Sequence, residues 1–444
     1  MLLSNSCNFR PIRGNKSVSK FKSAAICLSL ACALAIPANA TTIVVTNTND
    51  SGPGSLRQAL AIANDGDTID AAGVSGVITL TSGQLLVEKR VTINGAGADV
   101  LAVDGNATSS VFQIGTGATA PTVAISGLTI RNAQGGFGGG ILNGSGATLT
   151  ITNSTISGNT AAFGGGIFNS GPLTIANTTV TGNTASEGGG IYSNGSLTII
   201  NSTISGNTVN SDGGGIFNIG TVAITNSTLS SNSASFGGGI FTIGTVEIGD
   251  SVLKAGASGV NIANDGGTVT SLGYNLSTDD GGGFLTGPGD QINTDPLLGP
   301  LQNNGGPTFT HALLPGSPAI DMGDPNFPPP PFFDQRGSGS SRGVNGRIDI
   351  GSFEVQTQTG AIALRALGRK VGGINTVRLT WSGATSGNID VYRNGMLIVT
   401  TANDGDYIDS TGDTGRARYT YRVCEAGTST CSNDARVRFP AVGE

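Results

Sequence analysis

Two carboxylates, Glu187 and Asp212, hold the same place in successive copies of one motif. Each sits immediately before a Gly-Gly-Gly-Ile tetrapeptide, and the sister copies carry Phe137, Phe163 and Phe236 there. Carboxyl groups near 5 Å apart suit retaining glycoside hydrolysis, one protonated through a raised pKa as the acid and the other ionised as the nucleophile. Glu187 and Asp212 are therefore the candidate catalytic pair; the plainer alternative is two solvated turn residues. A second column follows each isoleucine: Leu142, Phe168, Tyr192, Phe217 and Phe241. If Ile141, Ile167, Ile191, Ile216 and Ile240 face a core, their successors face outward. An exposed ladder of rings could stack sugar rings or dock a partner. The candidate ligand-binding residues are Phe168, Tyr192, Phe217 and Phe241, with Phe163 and Phe236 at the lip. Alternatives are a covering loop, or reversed parity that makes the column core. No metal-binding residue is expected.

Such columns exist only if the chain is wound in register. The glycine triplets begin at Gly138, Gly164, Gly188, Gly213 and Gly237, in steps of 26, 24, 25 and 24 residues. A fixed period of this size marks a stacked architecture. Other positions keep step: Asn153, Asn177, Asn201 and Asn226 each begin Asn-Ser/Thr-Thr, and Asn159, Asn183, Asn207 and Asn232 recur six residues later. Apolar pairs two apart (Leu149/Ile151, Leu173/Ile175, Leu197/Ile199, Val222/Ile224, Val246/Ile248) alternate as strands do. Three short strands per repeat, separated by Gly/Asn/Ser turns, bury their inward side chains only against neighbouring coils. The prediction is an all-β chain: a right-handed parallel β-helix (solenoid) with an N-terminal capping helix, then a small β-sandwich. The asparagines are expected to bond up the stack rather than to act as glycosylation sequons.

Composition agrees. Glycine supplies 72 of 444 residues, about twice the usual share, without the collagen period. Residues 1–40 read as a secretory signal of Sec type: five basic residues, an apolar run from Ala24 to Ile36, then Ala38-Asn39-Ala40. That run is too short to span a bilayer, and no later stretch could, so no transmembrane segment is expected after cleavage. The remainder carries 18 basic against 29 acidic residues, a net charge of −11. This excludes nucleic acid as a partner. Three of the five cysteines leave with the leader, and Cys424 and Cys431 are expected to pair as a disulfide, as an exported setting favours.

Several segments resemble known families. Residues 51–59, Ser-Gly-Pro-Gly-Ser-Leu-Arg-Gln-Ala, resemble the CSLREA segment that opens exported bacterial β-helix proteins; Gly54 and Gln58 replace the namesake Cys and Glu. Residues 41–73 are read as an amino-terminal cap, with Ser55 capping a helix that starts at Leu56. Residues 74–294 are the β-helix, with regular repeats over about 127–250. The repeat beginning Ile156-Ser-Gly-Asn159-Thr resembles the motifs of polymorphic outer-membrane adhesins. Residues 295–357, with Asn304-Gly-Gly-Pro, Leu314-Pro-Gly-Ser-Pro-Ala-Ile-Asp321, Asp334-Gln-Arg-Gly337 and Asp349-Ile-Gly-Ser-Phe-Glu354, resemble a choice-of-anchor Q segment and are read as a carboxy-terminal cap. His311, Asp321, Asp334, Arg336, Asp349 and Glu354 are expected to gather there as buried ion pairs. Residues 361–444 resemble a fibronectin type III domain, with Trp381 in its core and Tyr419 or Tyr421 at the tyrosine corner.

Known β-helix enzymes would need more. Polygalacturonase-like sites pair Asn-Thr-Asp and Asp-Asp with Gly-His-Gly; Asn293-Thr294-Asp295 and Asp279-Asp280 occur here, but the sole histidine, His311, is in no such motif. A lyase needs a base, and only Lys89, Lys254 and Lys370 follow the leader. No cofactor is expected, and calcium, which a lyase reading would add, has no ligand set behind it. The favoured function is therefore a secreted or cell-surface bacterial protein, adhesin-like, that binds a polysaccharide or cell-envelope glycan along the ladder. The alternative is a glycoside hydrolase or polysaccharide lyase acting on the same face. Oligomeric state stays open.

Overall fold

The backbone of each repeat turns where an asparagine accepts a left-handed conformation. Asn153, Asn177, Asn201 and Asn226 have φ between 49° and 55°, and Asp250 and Tyr274 continue the column at 49° and 55°. Asparagine adopts this region more cheaply than other residues with a Cβ. The resulting corners fold the chain into a parallel β-helix. The computed structural model describes residues 40–344, 346–356, 362–428, 431–432 and 434–440. The expected signal segment lies outside the described residues but for Ala40.

Each regular coil passes through the same sheets in turn. In one coil, Thr148–Thr152 belongs to the first sheet, Thr155–Ser157 to the second, Thr160–Phe163 to a short fourth, and Ile167–Asn169 to the third. The first sheet has ten strands, the second nine, the third eight and the short one four, and every pairing among them is parallel. Successive coils pair in register along this column: Leu149 aligns with Leu173, Leu197, Val222 and Val246. Inward residues therefore stack in pure columns, and Ile151, Ile175, Ile199, Ile224 and Ile248 are fully buried in one continuous core. Spacing between coils is about 4.8 Å.

One buried asparagine column is satisfied by the same repetition. Asn159, Asn183 and Asn207 are fully buried. Each donates Nδ2 to the Oδ1 of its counterpart one coil on, at 2.9, 3.0 and 2.9 Å. Each also donates back to a main-chain carbonyl of the previous coil (Ile130, Ile156 and Val180). The glycine triplets have a steric origin. Gly164 stands at φ +68, and a Cβ on Gly165 would lie 2.5 Å from the carbonyl oxygens of Gly189 and Thr184. No other residue type lets the coils approach this closely.

The ends differ from the expectation in two ways. Winding begins earlier than residue 74, because Thr42–Val44 and Thr68–Asp70 are already the first two strands of the first sheet. Helix Leu56–Ile62, capped by Ser55, buries Leu56 and Ala59 against this first turn. The last paired strand of the second sheet is Leu276–Ser277, followed by a short 3-10 turn at Gly281–Gly283 and the buried Leu285. Residues 298–355 add no further coil. They fold back along the outer face of the second sheet instead. Thr179, Thr203 and Thr228 form its outward column. Thr179 Oγ1 donates to the Phe309 carbonyl at 2.7 Å, Thr203 Oγ1 to Gln335 Oε1 at 2.6 Å, and Ser352 Oγ to Thr228 Oγ1 at 3.0 Å. Over the last coils the same outward column continues as Val252 and Leu276, which join Leu313, Ala319 and Ile350 in an apolar cluster.

Residues 363–439 form a β-sandwich of antiparallel sheets. One holds Ala363–Val371, Ile374–Ser382 and Asp406–Ser410; the other holds Met396–Ala402, Asn388–Arg393, Ala417–Glu425 and Ala435–Phe439. Trp381, Val391 and Tyr421 lie in its core. Cys424 and Cys431 are disulfide-bonded. The Tyr421 hydroxyl donates to Asp409 at 2.6 Å, and that of Tyr419 to Thr411 and Asp413.

Candidate functional site

The glycine corner places two side-chain columns beside each other. Strand Ile167–Asn169 and its equivalents turn Ile167 inward and Phe168 outward, as the buried–intermediate–buried pattern records. In register with Phe168 stand Leu142, Tyr192, Phe217 and Phe241. Their rings stack face to face: Phe168–Tyr192 at 5.1 Å, Tyr192–Phe217 at 4.8 Å and Phe217–Phe241 at 5.2 Å, with interplanar angles of 13°, 9° and 19°. The sequence-derived parity is therefore right in direction. The exposure is less than expected, because each ring covers its neighbours. Phe217, with a ring on both sides, is only 7% exposed.

The second column, on the other side of the triplet, runs Phe137, Phe163, Glu187, Asp212, Phe236. Phe137 and Phe163 align across neighbouring coils, and isolated bridges join Phe163 to Glu187 and Asp212 to Phe236. Main-chain bonds from Gly188 to the Asp212 carbonyl and from Gly213 to the Phe236 carbonyl hold the middle members in step. Phe137 and Phe163 stack at 5.5 Å. Each also packs edge-on against the first column one coil further on, Phe137 on Phe168 at 5.0 Å and Phe163 on Tyr192 at 5.6 Å. Phe236 has no such ring to meet, since Ala263 follows Phe241 in the ladder, and it is 64% exposed.

Glu187 and Asp212 thus interrupt a wall of phenylalanines on consecutive coils, one coil step (about 4.8 Å) apart. The pKa of Glu187 is raised, first by partial burial and then by the charge of Asp212. Burial and the charge of Glu187 together also raise the Tyr192 hydroxyl. Asp212 accepts a hydrogen bond from the Ser211 hydroxyl at 2.9 Å. Such a pair can hold a proton unevenly, as acid–base work requires. No lysine or arginine is hydrogen-bonded or ion-paired to either carboxylate among the described residues.

Other sequence candidates go elsewhere. The Asp279 carboxylate accepts from the main-chain N–H groups of Asn261 and Gly281 and from Ser277, which makes it a turn-holding group. Asp295 pairs with Lys254 at 2.8 Å. His311 does not join the acidic group: its Nε2 meets Ser205 Oγ at 2.9 Å and its Nδ1 the Gly299 carbonyl at 2.7 Å. Asp334, Arg336, Asp349 and Glu354 do converge. Arg336 pairs with Asp334 at 2.6 Å, and Asp349 accepts from the main-chain N–H of Asp321 at 2.7 Å.

Two members of that network escape sequence reading. Arg342 is buried between Glu354, at 3.6 Å, and the turn residues Asn201 and Asn226. Asp250 accepts from the Asp324 N–H at 2.7 Å. Asp250 does carry a signal, as the carboxylate that breaks the asparagine column. Arg342 carries no periodic signal. Burial pushes Asp250 and Glu354 up to about 7 and Asp349 up to about 6.

No protein-family model matches the chain, and no curated protein matches it. Among solved structures, the chain titled "Crystal structure of pectate lyase Pel9A" is similar over 72% of this chain and 97% of its own length. The identity is 13% and the TM-score 0.33, values too low to bear on chemistry.

Proposed function

We propose that this chain is an exported bacterial protein that binds a polysaccharide or cell-envelope glycan along the paired aromatic columns, in the manner of an adhesin. The observation that carries it is the unbroken stack from Phe168 to Phe241, flanked by Phe137, Phe163 and Phe236 on the solvent side. The edges of these rings recur at one coil step and offer successive sugars the same apolar contact, and exposed aromatics such as Phe137 and Phe236 beside polar rims mark binding surfaces. The exported setting rests on the basic-then-apolar leader and on the resemblance of residues 51–59 and 295–357 to CSLREA and choice-of-anchor segments. The strand order of the sandwich supports its reading as a fibronectin type III-like module.

A second reading as a retaining glycoside hydrolase is favoured by one observation, the raised pKa of Glu187 beside Asp212. Incubation with a glycan panel, followed by reducing-end assay and a pull-down, separates the two. Retention without product, lost in Tyr192→Ala, supports binding. Product that disappears in Glu187→Gln/Asp212→Asn supports hydrolysis. Neither retention nor product on any glycan refutes both.

A further inference from the structure

The wall of phenylalanines is broken at one place only, and the break has a chemistry of its own. Phe163 and Phe236 are three coil steps apart, about 14 Å, and the two positions between them are Glu187 and Asp212. Tyr192, Phe217 and Phe241 run behind the gap as a continuous stack. The Glu187 carboxylate accepts no hydrogen bond from the described residues, and Asp212 accepts one, from Ser211. Aromatic rings around two anions form a setting in which an ammonium gains both ionic attraction and cation–π contact. The net charge of −11 outside the leader draws cations to the surface in the same sense.

The geometry points to a hexosamine polymer with free amino groups as the glycan of this ladder, its ammonium groups seated between Glu187, Asp212 and the flanking rings. This inference rests on the glycan-binding reading above and names its ligand class. A polyuronate is refused on the same ground, since its carboxylates would lie against two like charges.

The test is calorimetric titration of the full mature chain, at mildly acidic pH, with three oligomers: glucosamine, N-acetylglucosamine and galacturonate. The expected result is that glucosamine oligomers bind at least about tenfold more tightly than the acetylated form, with no binding of galacturonate. The preference should shrink as salt rises. Glu187→Gln/Asp212→Asn should abolish the preference while binding of the acetylated oligomer persists. Equal affinity for the amino and acetylated oligomers, or a preference that survives the double substitution, overturns this inference alone, provided Tyr192→Ala still removes binding. If none of the three oligomers binds, the glycan-binding reading falls with it.

Discussion

Replacing Asn183 by alanine should damage the solenoid more than any surface change of similar size. The residue is fully buried and makes four bonds. Its Nδ2 donates to the Ile156 carbonyl and to Asn207 Oδ1, each at 3.0 Å. Its Oδ1 accepts from the Asn159 main-chain N–H at 3.0 Å and from Asn159 Nδ2 at 2.9 Å. The two side-chain partners keep an alternative: Asn159 Nδ2 still reaches the Ile130 carbonyl, and Asn207 Oδ1 still accepts from the Asn183 N–H. The Asn159 N–H is left without a partner inside the core, whereas the Ile156 carbonyl keeps the ladder bond of the parallel pairing between Thr155–Ser157 and Thr179–Thr181. An unsatisfied buried group costs about 1–3 kcal/mol, so the orphaned Asn159 N–H predicts a loss of roughly that size, before any cavity term. Because coils touch only their neighbours, the loss should be local. Hydrogen exchange read by mass spectrometry should show faster exchange centred on the coils of Asn159, Asn183 and Asn207, with the first coil unchanged. Asn177→Gly is the contrast, because glycine suits its φ of 50°. A loss below about 1 kcal/mol for Asn183→Ala, with no local change in exchange, would refute the view that the ladder is a stabilising element.

Gly165→Ala sets a methyl 2.5 Å from two carbonyl oxygens of the next coil; it should cost about 1–3 kcal/mol by overpacking, read as a lower urea midpoint. The flank segment should respond to pH. Asp250, Asp349 and Glu354 are raised to about 7, 6 and 7, against a network that also holds Arg342, Asp321 and Asp324. Carboxyls with raised folded values stabilise the fold fully below their unfolded values, near 4, and lose that contribution as pH rises through about 6–7. Rate-corrected exchange of residues 308–355 should therefore be slower at about pH 5 than at about pH 8, and the opposite order would contradict the assignment. Cys424→Ser/Cys431→Ser removes a short closed loop and should destabilise the sandwich by about 2–3 kcal/mol. Calorimetry should show that transition shifted and the solenoid transition unmoved.

The two ring columns are legible in the amino-acid order because a strand has a period of two and a coil a period of about two dozen. Given Ile167 inward, Phe168 has to be outward, and the next repeat places Tyr192 on top of it. The same logic sets Glu187 and Asp212 beside each other. It does not reach how much a ring is covered by its own neighbours, which depends on rotamers and stacking. Hence Phe217 is buried where parity alone predicts exposure. The carboxy-terminal segment shows a different gap. Its acidic and basic residues gather as their motifs predict, apart from His311, but they lie along the flank of the solenoid rather than at the end of the rod.

Repetition is what the amino-acid order determines by itself. Wherever a residue type recurs at the coil period, its neighbours above and below are its own copies, so core, turns, asparagine ladder and ring columns follow without further information. Residues 298–355 have no period, and their position depends on partners more than a hundred residues away, such as Gln335 on Thr179 and Arg342 on Asn201. Only the folded chain brings those groups together. A lone glutamine or arginine in an irregular segment meets many threonines and asparagines that look alike in sequence, and packing alone selects among them.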